Sequence, residues 1–141
     1  KIYFDFHEDG EKIIWNASHD GYHNNYGKIV KRRMTIYKNE ECILGEDTIL
    51  PSKFNKKRLI YNIRFHLTPI CSGLLTNNKK SILIKTSRGQ SWIFTSENSI
   101  SLEDSIYIAN GRKIEQTKQI VISNYSDSSK RREKWSIKKV N

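Results

Sequence analysis

Four polar side chains have the types that bind anionic or hydroxyl-bearing groups, and they fall in two short segments. His19 and Tyr22 lie three residues apart in a glycine-containing segment, and Arg64 and His66 lie two apart in the run 61–69. A guanidinium can pair with a carboxylate or sulfate through two parallel hydrogen bonds, and imidazole and phenol groups can donate to oxygen. This local chemistry makes the four residues candidates for a binding site without assigning a function.

Arg64 and His66 lie on a predicted half-buried strand. Apolar and polar residues alternate through the run 61–69, which is the period of a β-strand with one face against the core. Pro69 lacks a backbone donor and is expected to end the run. The alternation therefore places Arg64 and His66 together on the wet face. A structural role is equally open for the pair, in which they stabilise the sandwich by pairing with an acidic residue. The acidic candidates are Glu46, Asp47 and Glu103.

The rest of the chain has the same short alternating pattern, and no segment keeps the 3.6-residue period of a helix. Turn-forming sequences such as Asp9-Gly10 separate the apolar runs at intervals of roughly 8–12 residues. The pattern predicts an all-β fold, an antiparallel β-sandwich of about ten short strands in two stacked sheets. The segments 18–27 and 124–132 are predicted loops. At 141 residues, the chain fits a single domain, 1–141.

Signals for a metal, a disulfide or a membrane span are weak. The four histidines are scattered without HxH or HExxH spacing, so no metal site and no catalytic residue is predicted. Cys42 and Cys71 stand alone, which allows a disulfide without requiring one and leaves the redox compartment open. No segment approaches the ~18 apolar residues of a membrane-spanning helix. The chain also starts in a strand-like sequence without an initiator Met, which suggests a fragment of a longer protein.

The net charge of +10, from 25 Lys and Arg against 15 Asp and Glu, favours a polyanionic partner. Basic clusters lie at 31–33, 56–58 and 130–132. No RNA-binding aromatic pattern, helix-turn-helix or phosphate loop accompanies them, which disfavours nucleic-acid binding. In a strand, Lys31 and Arg33 are expected on one face and Arg32 on the other.

Several short motifs follow one another from about residue 10 to the end of the chain. They are His19-Asp-Gly-Tyr22, Gly27, Lys31-Arg32-Arg33, Gly45-Glu-Asp47, Arg64-Phe-His-Leu67, Trp92-Ile-Phe94, Ser105-Ile-Tyr107, Gln119-Ile-Val121 and Trp135. Their order resembles the C-terminal part of heparinase II/III-like proteins of the bacterial branch. The family often has histidine where this chain has Val30 and Thr68. Because Thr68 replaces the second histidine of the 61–69 strand, a histidine pair on that strand is excluded.

The resemblance implies a polysaccharide lyase, in which an α/α toroid is joined to an antiparallel β-sandwich. Such enzymes cleave uronic-acid polysaccharides by β-elimination. The family's tyrosine acid/base and its asparagine lie in the toroid, and its His-Ala-His motif and zinc-binding residues lie earlier in the sandwich. None of these has a counterpart in the chain. We therefore expect the C-terminal fragment of a longer lyase, inactive when isolated and without a cofactor of its own, although the parent enzyme could hold zinc.

On this interpretation the partners are an acidic polysaccharide and the missing N-terminal toroid, with no nucleic acid and no membrane. Substrate-binding roles fall to Arg64, His66, His19 and Tyr22, and His66 and Tyr22 are expected at the rim of the toroid–sandwich cleft. Two alternatives stay open: a stand-alone carbohydrate-binding or adhesion module, and a basic nucleic-acid-binding β domain. The sequence does not choose between the periplasm and the cytoplasm of a bacterium.

Overall fold

The computed structural model describes residues 1–53, 58–109, 111 and 113–140, and their regular structure is almost entirely strand. Eleven strands and one helical turn, α1 (His23–Tyr26), make up the described part. The strands are β1 (Ile2–Glu8), β2 (Lys12–His19), β3 (Lys28–Tyr37), β4 (Cys42–Pro51), β5 (Leu59–His66), β6 (Cys71–Leu75), β7 (Ser81–Thr86), β8 (Ser91–Ser96), β9 (Ile100–Ala109), β10 (Lys113–Ser126) and β11 (Arg131–Lys139). The predicted all-β sandwich is confirmed, with a strand count close to the expected ten.

Two antiparallel sheets contain these strands. The order of the larger sheet is β1-β2-β3-β4-β11-β8-β7-β6, and that of the smaller is β5-β10-β9. Backbone contacts divide the chain into two compact units. Unit 1 comprises Lys1–Tyr61 and Asn124–Ser136, and unit 2 comprises Asn62–Ser123 and Ile137–Asn141. The organisation as one domain stays a prediction.

In unit 1, the register of β1–β4 sorts side chains onto two faces, because directly opposed residues of antiparallel strands point to the same side. One row runs through Asp5, Asn16, Arg33 and Glu46. We call this side the polar face. The neighbouring row on the opposite face runs through Phe4, Ala17, Arg32 and Asp47. The prediction that Lys31 and Arg33 share one face while Arg32 takes the other is therefore confirmed.

Trp135 lies in a buried cluster of unit 1 that contains both packing contacts and hydrogen bonds. The indole Nε1 of Trp135 donates to Asp47 Oδ2 at 2.9 Å. Arg32 binds the same carboxylate through two hydrogen bonds, of 2.6 and 2.9 Å, and its guanidinium lies 5.6 Å from the indole centroid. A Cβ on Gly45 would stand 2.1 Å from the Trp135 ring. One packed cluster is therefore formed by the Gly45-Glu-Asp47 motif, Arg32 and Trp135.

The core of unit 2 is aliphatic and aromatic. Phe65 of β5 packs on Phe94 of β8, with ring centroids 4.9 Å apart. The side chains of Ile82, Ile120 and Ile122 are at most 1% exposed. Phe65 contributes to this core from the apolar side of β5, as the alternation in the run 61–69 predicts.

Both predicted loops are shorter than expected. In the first, β2 extends to His19 and α1 forms before Gly27, whose backbone is left-handed with φ of 63°. The Gly27 N–H caps the turn by donating to the His23 carbonyl at 2.8 Å, and glycine adopts this conformation without steric cost. In the second, β10 continues to Ser126 and β11 begins at Arg131.

The second predicted loop is replaced in part by strand, and its first residue, Asn124, has a buried partner. The Asn124 side chain donates to Glu133 Oε1 at 2.8 Å, and the Tyr61 hydroxyl donates to the same oxygen at 2.5 Å. Burial, followed by the bond to Glu133, raises the pKa of Tyr61. Alternation alone does not show that such polar residues lie inside the fold.

Candidate functional site

Arg64 and His66 lie on the same exposed face of β5, as predicted, and both reach across to β9. Arg64 Nη1 lies 3.3 Å from Glu103 Oε2, and His66 Nδ1 lies 2.9 Å from Ser105 Oγ. Because β10 lies between β5 and β9, both links pass over the middle strand. Of the three acidic residues considered as a brace, Glu103 is the one that Arg64 contacts. A role in ligand binding stays a prediction for both residues.

The middle strand below these links is shielded on the side that faces them. Thr117 and Gln119 are each 9% exposed, although they oppose Ser105 and Glu103 on the polar side of the sheet. The Gln119 amide nitrogen donates to the Asp104 carbonyl at 3.1 Å. Its buried oxygen has no hydrogen-bond partner among the described residues. A buried acceptor without a described partner therefore lies on the strand beneath the Arg64–Glu103 pair.

His19 and Tyr22 form the second predicted pair, and both belong to unit 1. Their ring centroids lie 5.3 Å apart, with an angle of 54° between the ring planes. The ring centroid of Tyr26 lies 6.1 Å from that of Tyr22. His19 Nδ1 accepts a hydrogen bond from the Gly21 backbone at 3.3 Å. Tyr22 is half exposed. Each sequence-predicted pair is thus brought together within its own unit.

Unit 1 also contains a concave surface that was not among the predicted sites. An open groove of roughly 680 Å³ lies on the polar face of β1–β4. Its cationic lining includes Lys31 and Arg33 from β3 and Lys130 from the loop before β11. Its neutral polar lining includes Asn16, Ser18 and Thr48, and the ring of Tyr3 contributes from the outer strand.

The described acids that line this groove are not ion-paired with Lys31, Arg33 or Lys130, although Glu46 is directly opposite Arg33 on β4. Asp5 accepts a hydrogen bond from the Asn16 amide at 2.7 Å, and Glu46 lies 3.7 Å from Arg132. Within the described ranges, no carboxylate lies within ion-pair distance of Lys31, Arg33 or Lys130. The groove therefore presents available cations next to amide and hydroxyl groups. That combination suits an anion on a hydroxyl-rich ligand.

Only part of the groove could be predicted from the sequence. The basic run 31–33 and its alternation were evident, but the neighbours that complete the surface come from β1, β2 and β4. Their positions depend on register, which the pattern of each strand does not fix by itself. The contribution of Lys130, nearly a hundred residues along the chain, depends on the strand order.

Other site chemistry is limited in the part of the chain that the structure describes. No group of three or more His, Cys, Asp or Glu residues converges there as a metal site. Cys42 and Cys71 are both free thiols. No helix among the described residues is long and apolar enough to cross a membrane.

Comparison with known proteins identifies the family. The family model for the heparinase II/III-like C-terminal region matches residues 3–136. The chain belongs to the heparinase II/III-like C-terminal family. The resemblance carried by the order of motifs is thereby confirmed. No curated protein sequence matches the chain.

Solved lyase structures share the fold of this heparinase II/III-like region. The heparan sulfate lyase HepC from Pedobacter heparinus superposes with a TM-score of 0.83 at 10% identity, over 99% of this chain and 22% of its own. A heparinase III gene product gives 0.80 at 10% identity, over 99% and 22%. Another heparinase III gives 0.75 at 11% identity, over 99% and 21%. The chain spans about a fifth of the length of these proteins.

Proposed function

We propose that the chain is the C-terminal β-sandwich region of a polysaccharide lyase that acts on acidic, uronic-acid-containing polysaccharides. The family match over residues 3–136 carries this proposal. The net charge of +10 supports a polyanionic partner. The names of the three solved proteins, a heparan sulfate lyase and two heparinases III, agree with a glycan of this class.

The proposed reaction of the full-length parent is β-elimination. A base removes the proton from C5 of the uronate, the C4–O bond breaks, a C4–C5 double bond forms, and the departing oxygen is protonated. We assign no step to the residues of this chain. The catalytic tyrosine and asparagine expected from the family belong to the toroid. The zinc expected for the parent finds no ligand set in the described part of this chain, so no step is derived through it.

The proposed contribution of this chain is to hold substrate. We propose substrate contacts for Arg64 and His66 in unit 2, and for His19 and Tyr22 in unit 1. The exposed fraction of the Arg64 side chain, 41%, supports this role because part of a cationic side chain is open to solvent.

The test compares this chain with the full-length gene product on heparan sulfate. We expect the full-length protein to release fragments that carry the ultraviolet absorbance of the new double bond. We expect the isolated chain to bind the polysaccharide without releasing such fragments. Cleavage by the isolated chain, or an upstream reading frame that encodes no toroid, would contradict the proposal. The second result would favour a stand-alone binding module.

A further inference from the structure

We infer that the groove on the polar face of β1–β4 is a binding site for a sugar chain that carries carboxylate or sulfate groups, with Lys31, Arg33 and Lys130 as its anion contacts. The inference rests on the proposed function, because both require an acidic polysaccharide as ligand. It adds a site in unit 1 that is separate from the predicted substrate contacts Arg64, His66, His19 and Tyr22, although Lys31 and Arg33 belong to the basic motif 31–33.

The three cations line one groove from two distant segments of the chain. Lys31 and Arg33 are alternate residues of β3, so their Cα atoms lie about 6.6 Å apart along the strand. Lys130 enters the same groove from the loop between β10 and β11. Repeated anions along a sugar chain can engage separate cations in this arrangement. Arg33 can also pair with a carboxylate or sulfate in a bidentate manner.

Neutral groups between the strands complete a surface suited to a sugar. Ser18 and Thr48 are directly opposite Lys31 on its two neighbouring strands, and Asn16 is directly opposite Arg33. Hydroxyl and amide groups both donate and accept, as the hydroxyl groups of a sugar require. Tyr3 is 54% exposed at the outer strand, so its ring can pack against the apolar face of a pyranose.

The charge distribution distinguishes this groove from an ordinary solvated surface. Asp5 is engaged by Asn16, and Glu46 lies near Arg132, which is not among the three cations. Arg32, which also borders the groove, is held by Asp47 and is not assigned to the ligand. The remaining cations therefore face the groove without a carboxylate partner among the described residues. The described residues that line the groove do not form a series of stacked aromatic rings, which favours a glycan over single-stranded nucleic acid.

Binding of a size-defined heparin oligosaccharide, measured by calorimetry at physiological salt, tests the groove. The test variant is Lys31→Gln with Arg33→Gln, which removes two charges and retains most of each side-chain stem. The matched control is Lys85→Gln with Arg88→Gln, which removes two exposed charges from the β7–β8 hairpin of unit 2. We expect the groove variant to bind about tenfold more weakly or worse, and the control to stay within about threefold of wild type.

Further arms of the experiment separate the possible causes. Tyr3→Ala should also weaken binding, while thermal melting of all variants should match wild type because these side chains are exposed or at the sheet surface. Equal losses in the groove variant and the control would overturn the groove, since general charge attraction would explain both. Failure of the wild-type chain to bind any acidic glycan would instead contradict the glycan partner of the proposed function. Tighter binding of single-stranded DNA than of heparin would overturn the ligand class.

Discussion

The indole of Trp135 occupies the space that a side chain on Gly45 would need. A Cβ at position 45 would lie 2.1 Å from two atoms of the ring, which is far inside van der Waals contact. The ring is held in place by its hydrogen bond to Asp47, two residues further along β4. The glycine and the aspartate of the Gly45-Glu-Asp47 motif, and the final Trp135, are therefore explained by packing in unit 1, without any contact to a ligand.

Replacement of Gly45 by alanine should destabilise the fold strongly. The ring of Trp135 is 5% exposed and cannot move aside without breaking its bond to Asp47. We expect a loss of about 3 kcal/mol in the free energy of unfolding, measured by urea denaturation. Gly10→Ala is the matched control, because nothing lies within 4 Å of a Cβ at that position. A Gly45→Ala variant as stable as Gly10→Ala would contradict the packing described for Trp135.

Replacement of Asp47 by asparagine should also destabilise unit 1. Asp47 is 3% exposed and accepts from both Arg32 and Trp135. Loss of its charge removes the carboxylate that binds Arg32 and Trp135 in a buried position, so we expect a cost of about 3 kcal/mol by the same denaturation assay.

The control for Asp47 is Asp104→Asn in unit 2. Asp104 pairs with Lys118 at 2.5 Å, but its side chain is 86% exposed. Exposed ion pairs contribute about 0–1 kcal/mol, so this change should have little effect on stability. Similar losses in the free energy of unfolding for the two variants would show that the contribution of Asp47 to stability does not depend on the burial of its carboxylate.

The stability of the loop before β11 should depend on acid pH through Asp127. Hydrogen bonds from the Ser129 side chain and backbone, together with the Arg131 ion pair, lower the pKa of Asp127 to about 2. A depressed pKa stabilises the folded state above the unfolded value of about 3.9, and this contribution is lost as pH falls toward 2. The gap in melting temperature between wild type and Asp127→Asn should therefore be largest near neutral pH and shrink below about pH 4. A gap that is constant with pH would contradict an ionic contribution.

Arg64→Gln should reduce glycan affinity without unfolding the protein. The side chains of Arg64 and Glu103 are 41% and 46% exposed, so loss of their ion pair should cost less than about 1 kcal/mol in stability. We expect affinity for a heparin oligosaccharide to fall about tenfold. The control is Lys118→Gln, which removes a cation from another exposed ion pair of the same sheet. Equal affinities of the two variants, or a loss that follows melting temperature, would support a purely structural role for Arg64.

The sequence predicted the strands and their faces better than it predicted the surroundings of the polar residues. Alternation correctly placed Arg64 and His66 on one side of β5, and Lys31 and Arg33 on one side of β3, because a period of two is a local property. It did not show that Asp47 accepts a hydrogen bond from the Trp135 indole, since that bond joins residues 88 positions apart in the sequence. Long-range pairing decides which charges are buried, and a single strand does not encode it.

The links from Arg64 to Glu103 and from His66 to Ser105 have a consequence for the strand that they cross. On the polar side of a three-stranded sheet, alternation would leave Thr117 and Gln119 open to solvent, yet both are 9% exposed. Strand β10 also has hydrogen-bonded neighbours along both edges. Its amide hydrogens should therefore exchange with deuterium more slowly than those of β5 and β9, making β10 the last of the three strands to open.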